Sequence, residues 1–386
     1  MIVASRLEPV SGTPPVGRYF RRWPGFFLSE QTNQGCLVLC LRRLLLLFAL
    51  SLAGSAWPAA VAHAVVYGAA VGGDFAYLAR GTWTQEQVHA SLSSLHAAGA
   101  SVARADADWA RTEPKGPVGS HYHYDWRYDD RVVGDLAAAH LHWDPTLEYT
   151  PKWAQEHIKP IVFHDKAGSF TSPLPPANDS VYAAFVGAFA RRYGVGGSFW
   201  RSHRSLPQEP VMTFEIWNEP DDRWTWGPDV NLQDYAQLYS AAYQAIKRAD
   251  RHSMVITSGL AFTHTSLPRL LKAFIGRPID GLGVHPYGPD AKATIAVVRW
   301  TESQMAAYGR SRTPLIVNEY GWNSGSGAWQ TASKRAVVRN VRRSVIGLSK
   351  IKQVSAVIPF QWSDPTWGLS GGALAEGIKQ AHHWAG

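Results

Sequence analysis

A closed (β/α)8 barrel in one domain is what the sequence predicts, and three observations lead there. Eight short runs rich in β-branched and apolar residues follow one another between residues 65 and 360, amphipathic stretches with 3/4 spacing separate them, and no linker, repeat or low-complexity tract divides the chain. With 386 residues, 46% hydrophobic and 18% charged, the chain is too apolar for disorder and can bury one large core. Barrels of about 250 residues and more fold as single domains, so this length does not demand two.

The first 64 residues read differently from the rest. Arg42-Arg43 precedes the apolar run Leu44 to Gly54, then Trp57-Pro58 and the small-residue triplet Ala62-His63-Ala64, the order of a basic region, a hydrophobic region and an A-x-A cleavage site. The apolar run is shorter than the roughly 20 residues of a membrane span. Residues 1–64 are therefore expected to be a secretory signal with an unusually long n-region, the alternative being a retained signal anchor. The mature chain, residues 65–386, is expected to be secreted or held in the cell envelope, monomeric and without stable membrane insertion. Six arginines and two glutamates lie in the leader, so cleavage halves the net charge of +8. Cys36 and Cys40 lie there too, which leaves the mature chain without thiols and dependent on its core alone.

In order, the expected strands are Val65 to Ala70, Ser101 to Ala105, Leu141 to Leu147, Val211 to Trp217, Met254 to Ser258, Gly281 to Val284, Leu315 to Val317 and Val354 to Phe360. Helical spacing stands out at Tyr182, Phe185, Val186, Phe189, Tyr193 and again at Tyr235, Leu238, Tyr239, Ala242, Tyr243, Ile246. Strand-helix alternation with this count favours a closed parallel barrel. The rival, a doubly wound sheet, needs a phosphate turn after strand one, and Gly68-Ala69-Ala70-Val71-Gly72-Gly73 does not fit G-x-G-x-x-G.

A barrel places its chemistry at the C-terminal ends of its strands. Strand four runs into Trp217-Asn218-Glu219-Pro220 and strand seven into Asn318-Glu319-Tyr320-Gly321-Trp322. One such glutamate invites a salt-bridge explanation. Two at equivalent ends of facing strands supply the opposed carboxylates that glycosidic cleavage needs.

These two motifs resemble the catalytic signature of the clan of retaining glycoside hydrolases with a (β/α)8 barrel, in the flavour of bacterial families 39 and 5. Val102-Ala103-Arg104, Trp109, Glu113-Pro114, Tyr124-Asp125-Trp126, Thr150-Pro151-Lys152-Trp153-Ala154, Val284-His285-Pro286-Tyr287 and Gln361-Trp362 extend the resemblance over most of the mature chain. It implies Glu219 as general acid/base and Glu319 as nucleophile, with no catalytic metal and no cofactor. It further implies that Arg104 holds the nucleophile ionised, that Asn218 meets a substrate hydroxyl at C2, and that His285 and Tyr287 line the site. Trp362 is expected as the sugar platform, with a non-proline cis peptide between Trp362 and Ser363. Trp109 and Trp322 join Tyr149, Trp153, Trp224 and Trp226 as rim rings able to cover flat sugar faces. An ion pair of Arg104 with Glu215 is the plainer reading of that arginine.

Other readings are weaker. His121-Tyr122-His123 and His140-Leu141-His142 lack a third ligand at helical or hairpin spacing. Arg335, Arg339, Arg342 and Arg343 lie opposite Val337, Val341 and Val345, as on the solvated side of a helix, and with a halved charge nucleic acid is a poor partner. The expected partner is a poly- or oligosaccharide with β-linkages, cleaved with retention. The alternative from another class is a catalytically silent barrel that only binds carbohydrate. The loops Lys159 to Asn178 and Asp221 to Asn231, which would set the substrate, carry no decisive motif.

Overall fold

A computed structural model describes residues 65–165, 168–325, 330–364, 367–369 and 371–383, and the expected export segment lies outside them. Eight parallel strands close on themselves: β1 Val66–Ala70, β2 Val102–Asp108, β3 His142–Glu148, β4 Thr213–Ile216, β5 Met254–Thr257, β6 Gly281–Val284, β7 Leu315–Val317 and β8 Val354–Val357. The last pairs with the first, Val66 opposite Ala356, so no barrel edge is left open. All eight coincide with the runs expected from sequence.

One long helix follows each strand: α1 Gln85–Ala97, α2 Arg127–Ala138, α3 Asp179–Tyr193, α4 Leu232–Ala249, α5 Thr263–Ala273, α6 Ala291–Ala307, α7 Lys334–Leu348 and α8 Gly371–His383. Their starts are written in the sequence. Thr84 and Gln87 form a reciprocal capping box on α1, and Asn178, Asn231, Asp290 and Ser333 accept first-turn backbone N–H groups of α3, α4, α6 and α7. Arg335, Arg339, Arg342 and Arg343 project from α7 away from the buried Val337, Val341 and Val345.

The helix tyrosines explain themselves through their hydroxyls. Tyr182 donates to Leu147 O at 2.6 Å, Tyr235 to Ile216 O at 2.8 Å and Tyr239 to Val255 O at 2.8 Å, so α3 and α4 are pinned to the ends of β3, β4 and β5. Phenylalanine at these positions would fill the same space but lose the hydroxyl bonds that tie the helices to the strands.

Inside the barrel the side chains form layers. Val102, Ile256, Ile316, Ala356 and Ile358 make a small apolar plug separate from the main core. Two residues further along the strands the lumen turns polar, with Arg104, Asp144 and Glu215 all buried. A polar layer resting on an apolar plug is a floor for a site at the strand ends. Above it, the segment expected as loop contains an antiparallel hairpin, Val162–Asp165 with Gly168–Thr171. Phe163 of the hairpin stacks on Trp224, ring centroids 4.2 Å apart and planes 11° apart, which ties the two rim loops together.

Candidate active site

Each strand end delivers its residue through a distinct local device. Past β4 the backbone takes left-handed conformations at Trp217, φ 67°, and Glu219, φ 43°, which non-glycine residues rarely adopt and which cluster at functional sites. The turn is held by Glu219 N, donating to Ser258 Oγ at 2.7 Å, and by the Asp221 carboxylate, which accepts from Ala261 N and Phe262 N at 2.9 Å. Past β7, Asn318 is fully buried; its Oδ1 accepts from Val284 N at 3.1 Å and its Nδ2 donates to Glu215 Oε1 at 2.7 Å. Glu319 is thereby aimed into the mouth.

Arg104 joins these parts. Its Nε donates to Glu215 Oε2 at 2.7 Å, its Nη1 to Glu319 Oε2 at 2.8 Å and its Nη2 to Asn218 Oδ1 at 2.9 Å. The contact with Glu215 of the plainer reading and a contact with Glu319 are both present, because the fork geometry of a guanidinium serves three partners at once. Glu215 also accepts from Thr146 Oγ1 at 2.8 Å, which gives this buried carboxylate the donors its burial requires. Asn218, half-buried, has its amide oxygen held by Arg104.

The two mouth glutamates have different surroundings. Tyr287 OH donates to Glu319 Oε1 at 2.9 Å, so both Glu319 oxygens face donors. Although burial raises its pKa, the charges of His285 and Arg104 and the bonds from Tyr287 and Arg104 outweigh it and hold Glu319 below the usual carboxylate range. Burial dominates at Glu219 and raises its carboxyl, with Glu319 adding to the effect and His285 opposing it. His285 Nδ1 lies 2.8 Å from Glu219 Oε1, and despite a burial that lowers it, the two glutamates raise the imidazole. The ring lies close against Gly259, where a Cβ would come within 2.0 Å of His285 Cδ2. Only glycine allows that approach.

One oxygen of Glu219, one of Glu319 and one nitrogen of His285 lie within 4.8 Å of one another. Carboxyls about 5 to 5.5 Å apart suit direct attack on a sugar carbon, whereas about 6.5 to 9.5 Å leaves room for a water. This trio is the one group of histidine and carboxylate side chains near enough to share an ion among the described residues. Its atoms already contact Arg104, Tyr287 and one another, an arrangement fitted to placing a proton. At the foot of β3, His142 Nε2 meets Glu209 at 2.9 Å and His140 Nδ1 meets it at 3.7 Å, at the opposite end of the barrel.

Arg104, Asn218, Glu219, His285, Tyr287 and Glu319 are thus brought together. The expected tryptophans are not. Trp109 is 0% exposed, opens a short helical turn and stacks on Phe185 at 5.5 Å, its Nε1 donating to Glu113. Trp322 is 1% exposed and donates to Gly288 O, and Trp362, at 8%, donates to Ser91 O under α1 and packs near Gly371. None offers a face to a ligand. The cis peptide lies between Phe360 and Gln361, not between Trp362 and Ser363. Phe360, half-buried past β8, meets Trp367 edge-on at 5.8 Å, and Trp367 meets Tyr287 at 6.2 Å, so these two rings border the site in place of Trp362. Trp226 is buried against Trp217 and half-buried Trp153 meets Trp109 edge-on, while Trp224, stacked on Phe163, is 41% exposed.

Residues 198–356 match the model of the cellulase family, glycosyl hydrolase family 5, a stretch that carries both glutamates, His285 and Tyr287. No curated protein sequence matches the chain. Among solved structures, a family 39 β-xylosidase from Caulobacter crescentus is 19% identical with a TM-score of 0.60, over 82% of this chain and 70% of that one. An exo-β-1,4-mannosidase from Opitutaceae bacterium strain TAV5 is 14% identical with a TM-score of 0.57, over 85% and 61%. An endoglucanase from Thermotoga maritima is 13% identical with a TM-score of 0.54, over 81% and 96%. The barrel architecture is common to all three.

Proposed function

We propose that this chain, a glycoside hydrolase by its barrel and family match, cleaves a β-linked poly- or oligosaccharide with retention, Glu319 serving as nucleophile and Glu219 as acid and then base. The observation that carries the assignment is the pairing of two carboxyls whose oxygens lie within 4.8 Å in unlike surroundings: Glu319 accepts from Arg104 and Tyr287 and is lowered, whereas burial raises Glu219. In the first step a Glu319 oxygen attacks the anomeric carbon while Glu219 gives its proton to the departing glycosidic oxygen. Esterification removes the Glu319 charge and with it one cause of the raised Glu219 pKa. Glu219, now ionised, takes a proton from water as the water oxygen attacks the anomeric carbon, and Glu319 leaves as carboxylate.

Arg104 and Tyr287 are positioning residues that keep Glu319 charged and oriented, and His285 keeps Glu219 in place. Asn218, its amide oxygen held by Arg104, is the residue that would meet a substrate hydroxyl. Phe360 and Trp367 supply the ring surface assigned from sequence to Trp362. For export, the support is the order of Arg42-Arg43, the apolar run and Ala62-His63-Ala64, and the proposal is action outside the cytoplasm. No helix among the described residues is long and apolar enough to cross a membrane.

The experiment is a panel of chromogenic β-glycosides and β-linked oligosaccharides with wild type, Glu219→Ala and Glu319→Ala. Wild type turns over at least one member and both variants lose that turnover. A wild type that binds glycans without cleaving any, with binding unchanged in both variants, points instead to a carbohydrate-binding barrel.

A further inference from the structure

β1 and α1 are joined by residues 71–84, longer than the about two to six residues of a usual strand-to-helix connection, and long connections at a barrel rim carry function. This one holds a helix of its own, Gly72–Ala79, on the face where the strands end. Gly73 sets that helix against the chain past β8, where a Cβ would meet Gln361 Oε1 at 3.1 Å. Gly81, at φ 71°, then turns the backbone, and Thr82 N, Thr82 Oγ1 and Trp83 N all donate to Tyr77 O at 3.0 to 3.3 Å. Trp83 is thereby laid beside Tyr77, ring centroids 5.3 Å apart and planes 35° apart.

Between this turn and the chain past β8 lies a pocket that the mechanism does not use, lined by Tyr77, Arg80, Thr82, Trp83, Ser363 and Asp364. Asp364 is fixed in its wall. Its Oδ2 accepts from Tyr77 OH at 3.2 Å and Gln361 Nε2 at 3.1 Å, and its Oδ1 from Trp367 N at 2.7 Å. Among the described residues, the arginines and lysines paired with carboxylates are Arg104, Arg111, Arg127, Arg192 and Lys247. Arg80 is exposed and belongs to none of these pairs. Half-buried rings beside a fixed acceptor and an uncommitted fork of donors suit a pyranose, whose C–H faces are apolar and whose hydroxyls both donate and accept.

The pocket is continuous with the active site. Tyr287, bonded to Glu319, meets the Trp367 ring at 6.2 Å; the Trp367 backbone is bonded to Asp364, and Asp364 to Tyr77. In the strand order β8 stands across the barrel from β4, the strand that delivers Glu219. Glu219 gives its proton to the oxygen of the departing unit, so the pocket lies on the side of the sugars that stay with Glu319.

From this placement we infer that the pocket is a distal subsite for a retained sugar unit, its ring laid on Trp83 and its hydroxyls met by Arg80 and Asp364. The inference rests on the glycosidase reading and narrows its substrate to glycans that keep two or more units on that side of the cleaved bond, rather than a single terminal sugar.

The test is kcat/KM for release of p-nitrophenol from the β-glycosides of the mono-, di- and trisaccharide of whichever sugar wild type cleaves in the chromogenic panel: glucose, cellobiose and cellotriose in the glucose case. The aryl group is the departing unit in all three, so every added sugar lies on the retained side. kcat/KM is expected to rise about 10- to 100-fold from mono- to trisaccharide, the scale of a covered ring together with a hydrogen bond to a charged partner. Trp83→Ala is expected to remove most of that rise. The readout is the ratio of trisaccharide to monosaccharide, because damage to the fold lowers both alike. Arg80→Ala, on an exposed side chain, is expected to lower the same ratio about 3- to 10-fold and decides the matter if Trp83→Ala does not fold. Turnover that does not rise with length, or a rise that survives either substitution, overturns the inference and leaves the glycosidase reading standing. A wild type that cleaves no glycoside removes that reading, and this inference with it.

Discussion

Glu219 and Glu319 bring carboxyl oxygens within 4.8 Å of each other and yet are displaced in opposite directions, the first raised and the second lowered. Like charges at that distance cannot both ionise freely, and Arg104 and Tyr287 decide which of them does. The pH dependence follows with its signs fixed. The productive form has Glu319 ionised, which requires pH above its lowered pKa, and Glu219 protonated, which requires pH below its raised one. kcat/KM is expected to be bell-shaped, and Glu219→Gln should erase the alkaline limb while sparing the acid limb. Loss of the acid limb instead would exchange the two roles.

Azide separates the roles chemically. Glu219→Ala should lose about 10²- to 10⁴-fold on substrates with poor leaving groups. Added azide should restore turnover and give the β-glycosyl azide, since it attacks the ester from the face water uses. An α-azide from this variant would move the nucleophile to Glu219.

Gly259 is a silent-looking position with a sharp expectation. A Cβ there meets the His285 ring at 2.0 Å, so Gly259→Ala must displace the imidazole that holds Glu219. Activity should fall with a shift of the alkaline limb, while circular dichroism reports an intact barrel. An unchanged pH profile would remove His285 from the positioning of Glu219.

The rings divide between stability and binding. Trp109→Ala is expected to cost about 3 to 5 kcal/mol of stability, the range for emptying a fully buried aromatic site, with KM of the surviving protein unchanged. Phe360→Ala should do the reverse, raising KM or lowering kcat with a small effect on Tm. If Trp362→Ala rather than Phe360→Ala impaired catalysis at unchanged Tm, the sugar platform would have been misplaced.

Asp144 tests the lumen itself. Burial, with Glu215 adding to it and Arg104 opposing it, pushes this carboxyl up to about 8, against about 3.9 in an unfolded chain. Between those values the folded protein keeps a proton that the unfolded chain releases, so the group subtracts stability as pH rises from about 4 to about 8, by at most about 1.4 kcal/mol per pH unit. Asp144→Asn removes that dependence. The Tm difference between variant and wild type should grow in the variant's favour from pH 5 to pH 8, and a constant difference would contradict the burial argument.

What the sequence made legible, and what it did not, has a physical pattern. The eight strands were readable because each is a short apolar run closed by polar residues, and the two glutamates because a strand end fixes where its next residues point. The rings were not. Trp362 lies five residues past the end of β8, where the period of two no longer applies, and Trp109 begins a helical turn that carries it under α3. The 162–171 hairpin was hidden by its brevity, four residues a side among prolines.

The most direct measurement of the central claim is mass spectrometry of the enzyme after exposure to an activated 2-deoxy-2-fluoro-β-glycoside of a sugar it cleaves, which slows breakdown of the glycosyl-enzyme. One added glycosyl mass is expected, located on the peptide that contains Glu319. An adduct on Glu219, or no covalent adduct while the parent glycoside is hydrolysed, would contradict it.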